Sequence, residues 1–313
     1  GGFVGAIADD DHTRMLGEAH AHAAAVVQRH PGCARCGVQQ RVQQRLGQSV
    51  GVVAVDQQRF GRTADTGATH LGIDDDLLRH GEIGRGVGGH LVETVELEAA
   101  MPALRRMQDR FDKIYADGSV SLAATSRCAV SLATLPVVAK HHADAVVVWF
   151  DAHGDLNTPE ASSTGYLGGL ALSGPCGLWQ SGLGDGLAIE NIVLVGQRDL
   201  DPFEAELIEA KRIPHIRPGT DLPQRLAEAV AGRPVYIHLD CDVLNPGIVP
   251  TDYQHEDGLS LDDLHAACVV LAKSKVVGLE IAEFQDVWED GGEPVSPEPL
   301  IEALDPLLQK LRR

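Results

Sequence analysis

From about residue 113 onward, four short apolar runs rich in β-branched residues, at 146–150, 192–196, 235–239 and 276–281, alternate with amphipathic stretches at 202–212, 222–231 and 261–273. Runs that stay apolar at every position are buried on both faces, so this alternation predicts an α/β fold with a parallel sheet covered by helices on either side. Ser260-Leu-Asp-Asp263 supplies an N-cap followed three positions later by an acidic residue, which marks the start of one covering helix. Residues 297–313 read as a closing helix with a basic end.

The runs at 146–150 and 235–239 both end in carboxylates: Asp151-Ala-His153-Gly-Asp155 follows the first and Asp240-Cys-Asp242 the second. Carboxyl ends of parallel strands are where open α/β sheets place ligands. In extended chain, residues i, i+2 and i+4 project to one side, so Asp151, His153 and Asp155 can share a pocket with Asp240 and Asp242. Four aspartates and a histidine favour Mn among the divalent ions. Five side chains exceed what one ion takes from a protein, so two ions sharing a carboxylate are expected. Two such ions activate a shared water for attack on an electrophilic carbon.

These two motifs, the second continuing through Val-Leu-Asn-Pro246, resemble those of the ureohydrolases, the arginase and agmatinase family, with arginase the nearer likeness. The resemblance runs from about residue 128 to 283. It implies a three-layer α/β/α fold with a central, mostly parallel sheet, and residues 111–313 forming the arginase-like catalytic core. It also implies that L-arginine is cleaved to L-ornithine and urea by a hydroxide bridging two Mn ions. Agmatine, guanidinobutyrate and formiminoglutamate are alternative substrates of the same site, and a non-catalytic binding protein is a further alternative. By likeness to the arginase loops, Asn157, Ser162 and Thr164 would read the substrate's α-carboxylate, and Asp201 and Glu204 its α-amino group. Glu283 would face the guanidinium, where a carboxylate makes bidentate charge-assisted hydrogen bonds, and Asp155 would both bind metal and hold the nucleophile. The expected partners are a small cationic guanidino substrate and further copies of the chain, in a homo-oligomer of trimer or hexamer type.

Three features depart from the family pattern. Cys128 stands where the family has its sixth metal ligand, a histidine; a thiolate there would shift metal preference toward Zn or Fe. Gly168 stands where relatives carry a proton-shuttle histidine, and His141, His142 and His255 are unassigned. Residues 1–110 read as a poorly defined, divergent N-terminal part of the same domain, with a possible strand at 51–55, a helix at 92–111, and a Cys33-x-x-Cys36 pair that no second pair follows.

A net charge of −19 argues against nucleic acid or an anionic membrane as partner. No apolar run reaches the roughly 18 residues of a membrane span. Six irregularly spaced cysteines do not make a disulfide framework, so a reducing cytoplasm is the expected compartment.

Overall fold

The computed structural model describes residues 51–54, 89–289 and 292–311, with side chains from residue 96 onward. Cys33 and Cys36 lie outside the described residues. Seven strands form one sheet: β1 (Gly51–Ala54), β2 (Ser121–Ala124), β3 (Val146–Phe150), β4 (Ile192–Val195), β5 (His215–Ile216), β6 (Val235–Asp240) and β7 (Val276–Ala282). Their order is β1-β2-β7-β6-β3-β4-β5, and every pairing among the described strands is parallel, in line with the mostly parallel sheet expected.

The helices are α1 (Gly89–Ala116), α2 (Ser131–His141), α3 (Pro202–Lys211), α4 (Leu222–Val230), α5 (Leu261–Leu271), α6 (Glu298–Ala303) and α7 (Asp305–Leu311). Strand alternation sorts the core into two layers. Val146, Val148 and Phe150 of β3 join Ile237 and Leu239 of β6 against α4, α5, α6 and α7. Val147 and Trp149 turn the other way and pack with Tyr236 against α1 and α2. Period-2 side-chain placement in a sheet buried on both sides thereby produces the three-layer α/β/α arrangement.

Helix α1 is longer than the expected 92–111 stretch, and Leu104, Met107, Phe111 and Tyr115 form its buried stripe. Its interior Pro102 faces solvent, where a missing backbone bond is least costly. The closing helix divides into α6 and α7 just ahead of Pro306, whose ring cannot continue the preceding turn. No helix among the described residues is long and apolar enough to cross a membrane.

Candidate metal and catalytic site

Four neighbouring strands, β2, β7, β6 and β3, deliver the chemistry at one end of the sheet. A 3-10 turn over Cys128–Val130 follows β2 with Cys128 buried at its start. Asp151, His153 and Asp155 leave β3; Asp240 ends β6, with Asp242 in the next turn; Glu283 follows β7 directly. Asp155 and Glu283 hold left-handed backbone, with φ of 51° and 59°. Such conformations persist where surrounding structure over-determines them, which is a recurrent property of functional sites.

The ligand candidates meet in overlapping groups. Asp151, His153 and Asp242 have donor atoms within 4.8 Å of one another, and so do Cys128, Asp240 and Glu283. Asp151 also joins Cys128 and His238 in a third group, so it bridges the two halves of the cluster. His153 Nδ1 lies 3.2 Å from Asp151 Oδ1 and 3.0 Å from Asp242 Oδ2. The Cys128 thiol donates to Asp240 Oδ2 at 2.9 Å. Asp155 stands outside these groups, and its buried Oδ2 has no hydrogen-bond partner among the described residues.

Electrostatics show what this arrangement lacks. Burial, reinforced by neighbouring carboxylates, raises the pKa of Asp151 and pushes Asp155 and Asp240 well above the usual carboxylate range. Burial likewise pushes the Cys128 thiol far up, with Asp240 adding to it. Burial alone would lower His153, but hydrogen bonds to Asp151 and Asp242 prevail and push it up to about 12. Asp242 is the converse case: burial opposes its charge, and His153 brings its pKa down. Protons on His153 and Cys128 therefore sit between carboxylates at positions a cation would take. With the orphaned Asp155 oxygen, the donor set fits divalent metal.

Not every expected residue faces this cluster. Asn157 is buried, its Nδ2 donates to Asp201 Oδ2 at 2.8 Å, and its Oδ1 has no partner. Ser162 and Thr164 lie on the adjoining loop, where their hydroxyls accept the backbone N–H of Gly165 and Tyr166. Glu204 accepts backbone N–H from Leu156 at 2.9 Å and Asp201 at 3.0 Å, so it also fastens the Asp155 loop to the start of α3. Glu280 turns into the core toward Tyr236 and Thr134, leaving Glu283 as the acid of that strand end at the site. Among the unassigned histidines, His141 and His142 pack beside Tyr115, whereas His255 Nε2 lies 3.2 Å from His153 Nε2.

Four further residues shape the site. His238 is fully buried, stacks on Trp149 with ring centroids 3.6 Å apart, and sets Nε2 3.2 Å from Cys128 Sγ. It lies two residues before Asp240 on the same strand, so strand alternation was a signal for it. Arg127 donates to Glu283 Oε2 at 2.9 Å, and the Tyr166 hydroxyl donates to Glu283 Oε1 at 3.3 Å. A Cβ on Gly168 would come 2.3 Å from the Tyr166 ring, so no larger side chain fits at 168 while Tyr166 holds this position. Arg198 stitches the tip of β4 to the loop after β6 by donating to the carbonyls of Gly196, Asp242, His255 and Glu256.

The chain is similar in sequence and in fold to known proteins. The model of the Arginase family matches residues 35–291. The N(omega)-hydroxy-L-arginine amidinohydrolase of Streptomyces lavendulae is 41% identical over 234 residues, covering 72% of this chain and 86% of that protein. The arginase of Bacillus caldovelox is 29% identical over 209 residues, covering 61% of this chain and 69% of the relative. The crystal structure of Bacillus subtilis arginase superposes with a TM-score of 0.65 at 21% identity, over 82% of this chain and 97% of that one, a likeness of fold.

Proposed function

The chain belongs to the arginase family of amidinohydrolases, and from that premise we propose that it hydrolyses the guanidino group of an L-arginine-like amino acid. L-Arginine would yield ornithine and urea; its Nω-hydroxy form, the substrate named for the Streptomyces lavendulae relative, would yield ornithine and hydroxyurea. The observation that carries this reading is the convergence of Asp151, His153, Asp240, Asp242 and Cys128 beside Glu283 at four adjoining strand ends. Cys128, Asp151, His153, Asp155, Asp240 and Asp242 would hold two divalent cations, Mn being the expected ion and Zn or Fe the alternative if Cys128 ligates. When bound, such a pair supplies a water acidified enough to attack at neutral pH.

The chain's own groups do the rest. Glu283 orients the guanidino carbon, and burial pushes its carboxyl up to about 7 against the opposing influence of Arg127. Asn157, Ser162 and Thr164 receive the α-carboxylate, while Asp201 and Glu204 supply negative charge for the α-amino group. Water oxygen bonds to the guanidino carbon, the carbon–nitrogen bond to the side chain breaks, and both of the water's protons pass to the departing amine. Asp155, whose buried Oδ2 has no hydrogen-bond partner among the described residues, is placed to carry the first of them.

Mn-loaded protein is expected to release ornithine from L-arginine or Nω-hydroxy-L-arginine, measured by amino-acid analysis. Failure with every guanidino and amidine compound would sink the proposal. Ligation by Cys128 is tested separately: Co²⁺ loading should give a sulfur-to-cobalt charge-transfer band in the near ultraviolet, and C128S should lack it. A parent spectrum without that band would remove Cys128 from the ligand set. The four described cysteines, Cys128, Cys176, Cys241 and Cys268, are all free thiols, which supports a reducing, cytoplasmic setting. Assembly into a trimer or hexamer is part of the same proposal.

A further inference from the structure

The carboxylate assigned to the substrate's guanidinium already holds a guanidinium of the chain itself. Arg127 precedes the 3-10 turn in extended conformation, φ −146° and ψ 151°, which sends its side chain across to β7. Its Nη1 donates to Glu283 Oε2 at 2.9 Å and also contacts Asp252 from the solvent side. The other oxygen, Oε1, accepts from the Cys128 N–H at 3.1 Å and from Tyr166 at 3.3 Å. The Glu283 side chain is only 4% exposed and that of Arg127 20%, so the pair is poorly screened. Arginine has no neutral form in proteins and no acceptor atom.

On the proposed reading of the site as a guanidino hydrolase, we infer that Arg127 is a specificity-determining residue that disfavours a fully charged guanidinium at Glu283 and favours a guanidine hydroxylated on a terminal nitrogen. An unsubstituted guanidinium must either expel Arg127 or lie beside it as a second cation on one carboxylate. Both routes cost affinity, because like charges juxtaposed in a desolvated site repel. A hydroxyl on nitrogen withdraws electrons and makes the guanidine a much weaker base, which can enter neutral. Its hydroxyl oxygen and imine nitrogen then accept from Arg127, while its remaining N–H groups donate to Glu283. Asp252 keeps Arg127 anchored throughout, so the selecting charge stays in place.

Apparent dissociation constants of L-arginine and Nω-hydroxy-L-arginine for the Mn-loaded full chain, taken from KM for a compound that is cleaved and from calorimetric titration for one that is not, test this. The parent should bind the hydroxylated compound more tightly. In R127Q the affinity ratio should move toward arginine by about tenfold or more, chiefly through tighter arginine binding. R127K, which keeps the charge, should keep the parent's preference, and R127M provides a second uncharged variant should R127Q fail to fold. A ratio in the uncharged variants within about twofold of the parent overturns the inference. If the parent binds and cleaves guanidino substrates while the ratio stays put, only the role of Arg127 falls. If it binds neither compound, the hydrolase reading fails and takes this inference with it.

Discussion

Asp155→Asn is expected to lower turnover of the metal-loaded enzyme by roughly 10²–10⁴-fold and, in metal-free protein, to raise the melting temperature. The two effects have one cause. Asp155 is buried, its Oδ2 has no partner among the described residues, and burial together with Asp151 penalises its charge. Asparagine keeps the shape, tolerates the left-handed backbone at φ 51°, and removes the like-charge repulsion. It also removes the group that holds and passes the first proton of the attacking water. Steady-state kinetics with Mn, and thermal unfolding in chelator, measure the two arms. A variant that stays active, or that melts below the parent without metal, would contradict the role given to Asp155.

Mn loading should raise the melting temperature by on the order of ten degrees at pH 8 when metal is far above its dissociation constant, and by clearly less at pH 5. Burial pushes Glu204 and Glu283 up to about 7 from an ordinary value of 4.5. Between those values the native state keeps protons that the unfolded chain has released, so metal-free stability falls as pH rises through that window. His153 extends the decline. Its pKa, pushed up to about 12 from 6.5, means that the stability it lends is complete below pH 6.5 and is lost on the way to 12. Asp242, whose pKa is lowered, acts oppositely, but only in acid below its ordinary 3.8. Metal replaces the protons and their repelling carboxylates together, so its stabilisation grows with pH. Thermal unfolding across pH 5 to 8, with Mn or with chelator, checks this; a metal effect that shrinks toward pH 8 would refute it.

The sheet was legible where strands are long and apolar. β3, β6 and β7 are continuous β-branched runs, and the aspartates at the first two tips announced the metal cluster. β2 escaped because Ser-Leu-Ala-Ala has little strand propensity and is held by pairing on both sides. β5 escaped because it has only two residues. In the site, ligands grouped along one strand end could be read from spacing. Arg127, Tyr166 and Asp252 could not, since each meets Glu283 or its partner only through folding that closes long sequence separations. Glu204 could be read as an acid in the first turn of α3, but not as the group that fastens the Asp155 loop.

Cys128 and Glu283 lie 155 positions apart in sequence and touch because β2 and β7, which set them, are neighbours in the sheet. Because β7 lies between β2 and β6, a chain that has not yet docked β7 can pair β3 with β6 but cannot set Cys128 beside Asp240. Of the proposed ligands, Cys128 is therefore the one whose place depends on the docking of β7.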